Sequence, residues 1–529
     1  MTRFDPRVLL LLALTGIGAC SKHSAGQPPA ANVATATQAA VEQIRWFKGN
    51  VDEAFARARA EGKPVLLLWS AEWCPPCHKL KAGIFRRHDF IEKTRLFIPV
   101  YLDGDDAGAQ KAGEEFHVAG YPTVVILTPD RAELARISGG MDLNRYADVL
   151  DLALADARPV KTVLASLQQG SGELPPDDCR RLAYNDWLTG DVLTDDQAHA
   201  ADILALAATR CPAAAHIERA RLEVISTYAA VEALRDTTTP EDDARLRKRI
   251  DAIAAVLADP TTSRGAADYL TYLEDDFFTA ARRVAPEKSA TLRAPWIALM
   301  DSVTTDPNMT EADQINALAS KLEVTRAFAP DQKIPADAVQ AAQQRVDAAL
   351  ARTPDEHSRA AVVNSVLWVY DTLGEDDRSY ALLEHEVATS KSPYYYLSDL
   401  ASLEEKRDHK DEALAMLKRA YAEAEGAATQ FQWGTDYVFG LLRMRPEDEH
   451  TIREASLAVI GELDGPDRIY ARTRIRLERM DAKLTAWNEK NAHAKTIAAL
   501  RTRMHDICAR IPPGEPASET CKSFLAGHT

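Results

Sequence analysis

A pair of cysteines separated by two prolines constrains the fold of this chain more than any other feature. Cys74 and Cys77 follow five apolar residues, 65–69, whose pattern predicts a buried strand. The residues after the pair, 78–85, have the pattern of a helix. The cysteines are therefore expected at a helix N-terminus, where partial positive charge and unpaired N–H groups stabilise a thiolate. This position favours a redox function.

A second motif, Gly120-Tyr121-Pro122-Thr123, precedes another apolar run. Together with Trp73 and the cysteine pair, this motif resembles the active site of the thioredoxin-fold thiol–disulfide oxidoreductases. The run 62–74, followed by Asp103, is most similar to the C-terminal periplasmic domain of the membrane-spanning disulfide reductases. We therefore expect a thioredoxin-like α/β domain over residues 42–157.

The resemblance also implies roles for individual residues. It implies that Pro122 follows a cis peptide bond and faces the cysteines, and that its loop accepts a substrate backbone as an added strand. The implied catalytic residues are Cys74, Cys77, Trp73 and Pro122, and the implied substrate contacts are Tyr121 and Thr123.

The chemistry expected of the pair is thiol–disulfide exchange. Cys74, as the more exposed cysteine, attacks a substrate disulfide, and Cys77 then resolves the mixed disulfide. The alternatives are a permanent disulfide and part of a zinc site, but zinc needs more ligands and the chain has no second Cys-x-x-Cys. His78 also completes a haem-attachment pattern, although the strand before Trp73 favours a thioredoxin fold. We expect no metal, no cofactor besides the Cys74–Cys77 disulfide, and a solvated His78 whose charge favours the thiolate.

Two features modify this chemistry. Pro75 and Pro76 have no N–H, so the thiolate receives fewer hydrogen bonds and the reduction potential is lower, as expected of a reductase or isomerase. The resembled families carry a buried aspartate six residues before the first cysteine, where this chain has Leu68. Glu72 is the nearby carboxylate, and proton transfer from the resolving thiol is expected to use it or water.

The periodicity of residues 42–157 predicts an alternation of strands and helices. This order matches a thioredoxin fold with an N-terminal extension. The predicted strands are 44–47, 65–69, 97–102, 123–127 and 135–139, and the predicted helices are 51–60, 76–85, 107–116 and 144–154.

Residues 158–529 differ, because alanine, leucine, glutamate and arginine dominate and helical periods are long. The segments 380–383 and 412–415 stand 32 residues apart, close to the tetratricopeptide period of about 34. We expect a large all-α domain of helical hairpins, degenerate as a tetratricopeptide array. The aromatic residues 394–396 and Trp433 are expected in its packing, with a peptide groove as the alternative. Clear helical patterns cover residues 201–208, 217–234, 247–257 and 338–351.

The N-terminus has the pattern of an export signal. A short apolar core at 8–14 leads to small residues and Cys20, which resembles the bacterial lipobox. We expect a signal peptide at 1–19, lipidation of Cys20 and a flexible tether at 20–41, with an ordinary signal peptide as the alternative. By the resemblance to Gram-negative lipoproteins, Ser21 in place of Asp after the cysteine implies the outer membrane.

Charge and cysteine content narrow the function. The net charge of −16 argues against a nucleic-acid binder, and no apolar run of about 18 residues follows the N-terminus. Four cysteines remain, and an even remainder in an exported protein predicts two structural disulfides. Pairing neighbours joins Cys179 to Cys211 and Cys508 to Cys521, while other pairings stay open.

We therefore expect a periplasmic thiol–disulfide oxidoreductase, a reductase or isomerase, held at the envelope membrane by a lipid on Cys20. Its expected partners are protein thiols and disulfides, a membrane electron donor, and the lipid bilayer. Residues 158–529 are expected to select partners or substrates. The alternative is a non-enzymatic envelope scaffold in which the helical array works and the cysteine pair is structural.

Overall fold

The computed structural model describes residues 43–139, 142–155, 158–170, 172–187, 197–329, 331, 333–353, 355–465, 468–511 and 516–526. The predicted signal peptide, Cys20 and the tether lie outside the described residues. Residues 42–529 form one compact unit.

The first part of that unit is a four-stranded sheet with helices on both faces. The strand order is β2-β1-β3-β4, with β1 parallel to β2 and antiparallel to β3, and β4 antiparallel to β3. This arrangement confirms the predicted thioredoxin-like fold. The elements are α1 Val51–Glu61, β1 Val65–Ser70, α2 Pro75–Ala82, α3 His88–Thr94, β2 Ile98–Asp103, α4 Ala107–Glu115, β3 Thr123–Leu127, β4 Glu133–Ser138 and α5 Leu143–Ala155.

Strand β1 positions the cysteine motif because both of its faces are buried. Side chains alternate along a strand, so Leu66 and Leu68 enter one core while Leu67 and Trp69 enter the other. The indole of Trp69 donates a hydrogen bond to the carbonyl of Ala109 in α4, at 2.8 Å. The strand that leads into the cysteines is therefore fixed on both sides.

Two predictions about this domain are wrong in detail. Residues 44–47 do not form a strand, and the Phe47 N–H donates to the carbonyl of Pro99 at 2.7 Å beside β2. The predicted helix at 76–85 ends at Ala82, because the backbone of Gly83 leaves the helical conformation. A 3₁₀ turn, Ile84–Arg86, and helix α3 follow, and the sequence analysis did not predict α3.

The rest of the described chain is helical, which confirms the predicted all-α region. The four segments with clear helical patterns are helical, except that Leu234 lies one residue beyond the end of its helix. The helices are α6 Val160–Gln169, α7 Pro176–Tyr184, α8 Gln197–Arg210, α9 His216–Ala233, α10 Pro240–Leu257, α11 Pro260–Gly265, α12 Ala267–Leu270, α13 Glu274–Val284, α14 Pro286–Thr304, α15 Glu311–Ala327, α16 Ala336–Ala351, α17 Glu356–Leu373, α18 Asp376–Thr389, α19 Pro393–Lys406, α20 Lys410–Glu423, α21 Ala427–Met444, α22 Glu449–Gly461, α23 Ala471–Trp487, α24 Ala494–Cys508 and α25 Pro516–Ser523.

The two segments that suggested a repeat lie in equivalent places. Residues 380–383 belong to α18 and residues 412–415 to α20, and both helices pack against α19. Helix α20 packs in turn against α21. Consecutive helices thus stack as neighbours, as a helical-hairpin array requires, while the tetratricopeptide assignment stays a prediction.

Two disulfides lie in the helical region, at its beginning and its end. Cys179 in α7 is bonded to Cys211, which follows α8, with the Cα atoms 5.6 Å apart. Cys508 in α24 is bonded to Cys521 in α25, with the Cα atoms 5.7 Å apart. This is the pairing of neighbours.

The helical region begins against the edge of the sheet. The side-chain oxygen of Asn185 accepts the Arg136 N–H at 2.8 Å, and the Asp186 N–H donates to the Arg136 carbonyl at 2.9 Å. These bonds cover edge strand β4, whose unpaired backbone groups would otherwise invite another strand. Among the described residues, none of the helices has the length and apolar character needed to cross a membrane.

Candidate functional site

Cys74 occupies the position just before α2, where it caps the helix. Its sulfur accepts the backbone N–H of Cys77 at 3.3 Å, and the two cysteines are joined in a disulfide with Cα atoms 5.2 Å apart. Pro75 and Pro76 fill the first two helical positions and offer no N–H. The helix end therefore presents fewer donors to the Cys74 sulfur than one without prolines.

The proline loop lies beside this helix end. The Tyr121–Pro122 peptide bond is cis, as the resemblance implies. Gly139 sits between the two elements: a Cβ there would lie 2.8 Å from Pro122 Cδ and 3.1 Å from Pro76 Cβ. The close approach of Pro122 to the cysteine motif thus depends on the absence of a side chain at Gly139.

Tyr121 is fixed against the cysteine pair. Its ring packs on the cluster formed by the two cysteines and Ala71. Its hydroxyl accepts a hydrogen bond from Gln110 at 3.0 Å and donates to the carbonyl of Gly104 at 3.3 Å. A Cβ on Gly104 would lie 2.5 Å from the Tyr121 ring, so glycine is needed there. The predicted substrate contact Tyr121 is therefore held in place on three sides.

Two further candidate residues serve the local structure in this conformation. The hydroxyl of Thr123 is buried and donates to the Gly120 carbonyl at 2.8 Å, which holds the proline loop. Asp103 pairs with Ser70 across the sheet and accepts the Asp105 N–H at 3.0 Å. Partial burial raises the pKa of Asp103.

The access expected of the catalytic sulfur is absent in this conformation. Cys74 and Cys77 are each only 2% exposed. The expectation that Cys74 is reachable from solvent is therefore wrong for the structure as described. The helical region lies directly on Trp73 and Tyr121, the two side chains that pack against the pair.

Trp73, next to Cys74, makes most of these contacts. Its ring stacks on Tyr395 of α19, with centroids 6.1 Å apart and planes at 18°, and meets Trp433 of α21 edge-on at 5.1 Å. Its indole N–H donates to the hydroxyl of Thr429 at 3.1 Å. Burial of Tyr394, Tyr396 and Trp433 agrees with the predicted packing role, but part of that packing lies against the cysteine motif.

Thr429 and Arg472 complete the covering surface. Asp105 accepts both the backbone N–H and the hydroxyl of Thr429, at 2.8 and 2.7 Å. The guanidinium of Arg472 in α23 lies 5.1 Å from the Trp73 ring centre and 4.4 Å from that of Tyr121. We call Tyr395, Thr429, Trp433 and Arg472 the cover.

The opposite side of α2 is held by charged and polar groups. Lys79 forms a buried ion pair with Asp313 of α15 at 2.8 Å. Burial would lower the pKa of Lys79, but Asp313 outweighs it and the pKa lies above its usual value. Arg86 pairs with Asp355, just before α17, at 2.8 Å.

His78 also lies on this opposite side of α2, and the expectation of a solvated cation is wrong. The side chain is buried, and its Nε2 lies 2.7 Å from the carbonyl of Glu72, to which it must donate. Its Nδ1 lies 2.6 Å from Nδ1 of His357. Burial is the main cause that lowers the pKa of His78. The ring is therefore a neutral contact between α2 and α17.

The carboxylate expected to assist proton transfer is turned to solvent. Glu72 is exposed and pairs with Lys81 at 2.8 Å. Burial opposes its ionisation, but Lys81 outweighs burial and holds the pKa of Glu72 below its usual value. Leu68 is buried in β1, so its position supplies no proton acceptor.

The bonded sulfurs and the engaged His78 favour the redox interpretation over haem attachment. Within the described ranges, no cluster of three or more His, Cys, Asp or Glu side chains could hold a metal. Sequence reasoning missed Asp105, Thr429 and Arg472. More than 320 residues separate Asp105 from Thr429, so no local pattern could connect them.

Comparison with known proteins agrees with the fold of the first domain. Residues 51–154 match the family described as a thioredoxin-like domain. The chain is 30% identical over 124 residues to the thiol:disulfide interchange protein DsbD of Pseudomonas fluorescens, which covers 22% of this chain and 21% of that protein. It is 27% identical over 100 residues to the thiol:disulfide interchange protein DsbD 2 of Pseudomonas aeruginosa, covering 18% and 17%. The chain thus spans about a fifth of the length of these relatives. These matches confirm the predicted resemblance for this segment.

Proposed function

We propose, from a thioredoxin-like domain at residues 51–154, that the protein is a thiol–disulfide oxidoreductase that reduces or isomerises disulfides of exported proteins. One observation carries the proposal: the Cys74–Cys77 disulfide caps a helix N-terminus beside a cis-proline loop. The names of the two relatives, both thiol:disulfide interchange proteins, support the same class of reaction.

The proposed reaction passes two electrons from the reduced pair to the substrate. The Cys74 thiolate attacks one sulfur of a substrate disulfide, so a mixed disulfide forms and the other substrate sulfur leaves as a thiolate. Cys77, once deprotonated, attacks the Cys74 sulfur and releases the second substrate thiol. The pair ends as the disulfide seen here. A dithiol donor, proposed to be a membrane disulfide reductase, then returns it to the reduced state.

Location and direction of electron flow belong to the same proposal. Lipidation of Cys20 would hold the protein at the envelope membrane, with the outer membrane favoured by Ser21. The two prolines that remove N–H donors from the start of α2 support a low reduction potential. A glutathione redox titration tests this point, and a potential near about −120 mV, that of a strong periplasmic oxidant, would overturn it.

Insulin reduction by dithiothreitol, with and without the protein, tests the activity itself. We expect wild type to accelerate the reaction and Cys74→Ser to fall to the rate of buffer alone, since the attacking sulfur is lost. The matched control is the double variant Cys508→Ser/Cys521→Ser, which also loses one disulfide but keeps the pair at α2. This control is expected to retain the wild-type rate.

A second candidate function is a non-enzymatic envelope scaffold built on the helical region. The burial of both sulfurs favours it, because a structural disulfide needs no access. Equal insulin reduction by wild type and Cys74→Ser would support the scaffold and reject the oxidoreductase.

A further inference from the structure

The surface that a thioredoxin-like domain would offer to a disulfide substrate is occupied by this chain itself. The cover lies on Trp73 and Tyr121, which are the partly exposed side chains packed against the two sulfurs. Thr429 fills the space between the indole of Trp73 and the carboxylate of Asp105. A substrate strand could not approach the proline loop while the helices that carry the cover remain in place.

The contacts that hold the cover are those of an interface that can separate. They are hydrogen bonds, ring contacts and one ion pair at the surface edge, in which Arg474 of α23 binds Glu114 of α4 through two bonds of 2.6 and 2.7 Å. Every polar group involved can be hydrated after separation. The apolar contacts are those of the Trp73, Tyr395 and Trp433 rings, and interfaces between parts of one chain permit relative motion unless they are large and hydrophobic.

The packing next to the cover is also incomplete. A cavity of about 290 Å³ is lined by Asp105 and Gln110 of the thioredoxin-like domain and by Phe431, Arg468 and Thr473 of the helical region. Gln110 is the residue that holds the Tyr121 hydroxyl. The cavity therefore adjoins the residues that the cover must release, and voids lower the cost of parting two surfaces.

We propose that the structure is a closed, self-blocked state of the enzyme, in which helices α19, α21 and α23 occupy the substrate surface and protein disulfides reach Cys74 only after these helices move away. The inference rests on the proposed function for its meaning, but not for its test. The occupant of the surface is a named part of this chain, and a protein substrate must displace it.

The hydrogen bonds of Thr429 are the sharpest place to test this state. Thr429→Val keeps the shape of the side chain but removes the hydroxyl that donates to Asp105 and accepts from Trp73. Because hydrogen bonds to charged groups are among the stronger ones, we expect the open population to rise about tenfold. The control is Thr435→Val, a buried threonine of the same helix whose hydroxyl donates to the Gln432 carbonyl and accepts from Arg476 of α23, both within the helical region.

The measurement is the rate at which reduced Cys74 reacts with N-ethylmaleimide and with a large polymer-linked maleimide, read by peptide mass spectrometry in a Cys77→Ala background. We expect the large reagent to react slowly with the parent and about tenfold faster after Thr429→Val, with Thr435→Val unchanged. Thr429→Ser keeps a hydroxyl and is expected to restore the slow rate.

A second variant guards against misfolding of the first. Arg474→Ala breaks the link between α23 and α4, and Arg249→Ala is its control, because Arg249 pairs with Glu223 at similar burial wholly inside the helical region. We expect Arg474→Ala to raise the large-reagent rate and Arg249→Ala not to. Circular dichroism identifies any variant that does not fold.

Two results would overturn the closed state. One is a parent protein whose Cys74 reacts with the large reagent as fast as an unfolded cysteine peptide. The other is folded Thr429→Val and Arg474→Ala proteins whose rates equal those of their controls. Failure of the proposed function looks different: thiol access then changes as expected, while every variant leaves insulin reduction at the rate of buffer.

Discussion

The helical region meets the thioredoxin-like domain on two sides that differ in chemistry. On one side, α2 and the 3₁₀ turn after it are joined to α15 and α17 by the buried Lys79–Asp313 pair, the His78–His357 contact and the Arg86–Asp355 pair. On the other, the cover reaches Trp73 and Tyr121 through aromatic rings and hydrogen bonds. The rings of Trp73 and Tyr121, which the cover contacts, pack against the cluster that contains the sulfurs. Attachment of the two parts and access to the disulfide are therefore controlled by different residues.

We call the side joined through Lys79, His78 and Arg86 the attachment side. Lys79→Met should give the largest loss of unfolding free energy and so tests this side. The change leaves the carboxylate of Asp313 buried without its cation, which costs about 3–5 kcal/mol of unfolding free energy. Urea unfolding measures the loss. The double variant Lys79→Met/Asp313→Asn removes both charges and is expected to regain much of it.

A loss below about 1 kcal/mol for Lys79→Met alone would contradict the comparison, because it would mean that water reaches Asp313 in the folded protein. The cover side offers the contrast. Thr429→Val is expected to raise thiol access strongly while changing the unfolding free energy by only about 1 kcal/mol.

The two histidines should give the attachment side a dependence on pH. His78 uses its Nε2–H for the Glu72 carbonyl, so its Nδ1 must accept the proton that His357 donates. The first proton added to the pair can be held between the two Nδ1 atoms, because neutral His357 can accept through its own Nδ1, but a second proton leaves both atoms as donors and breaks the contact. Burial lowers the pKa of both rings, so folding favours their neutral forms.

Because folding lowers both pKa values, the two histidines stabilise the folded protein fully above the unfolded histidine pKa of about 6.5. This stabilisation is lost as the pH falls below that value. The pKa values of Glu72 and of Asp355 are lowered and that of Lys81 is raised by their partners, so these neighbours of the two rings stay charged through this range. We expect a loss on the order of 1 kcal/mol between about pH 7.5 and pH 5.5, measured by urea unfolding.

His357→Gln is the control for this prediction. A glutamine amide can donate to neutral His78 through its nitrogen or accept from the charged ring through its oxygen. The variant should therefore lose less stability on acidification than wild type. An equal loss in both proteins would assign the pH dependence to other groups.

The two sides also show how much of the structure could be predicted from the sequence. The predicted strand before Cys74 is confirmed because it is a local pattern, and the helix after Cys77 is confirmed except for its end at Ala82. The cis bond before Pro122 is present as the family resemblance implies. The prediction for His78 was wrong since its environment comes from His357, 279 residues away. Residues 44–47 were wrongly predicted as a strand because an apolar run next to a sheet edge can pack without a ladder of hydrogen bonds.

The cover was beyond prediction for the same physical reason. Tyr395 and Trp433 each occupy an apolar position in a helical pattern. Such a pattern indicates which face of a helix is buried, but not which part of the protein packs on that face. Asp105 lies in an acidic turn that looks solvated from sequence alone. Only the folded chain brings its carboxylate to Thr429.

Arg86→Ala should give the smallest loss of unfolding free energy. It tests whether the attachment side is stabilised by its buried pair or by its exposed one. The side chains of Arg86 and Asp355 are 47% and 34% exposed, and such surface pairs contribute less than about 1 kcal/mol. Asp355→Ala is expected to cost roughly 1 kcal/mol more, because its carboxylate also accepts the Ser358 N–H at 3.1 Å and caps α17.

The Arg86 hydrogen bonds hold the pKa of Asp355 below its usual value, so its contribution is present at neutral pH and lost only in strong acid. It therefore cannot account for a loss near pH 6. If Arg86→Ala loses as much unfolding free energy as Lys79→Met, the attachment side is held by exposed ion pairs and not by a buried one. Equal losses would also remove the reason to expect that the cover separates before the attachment side.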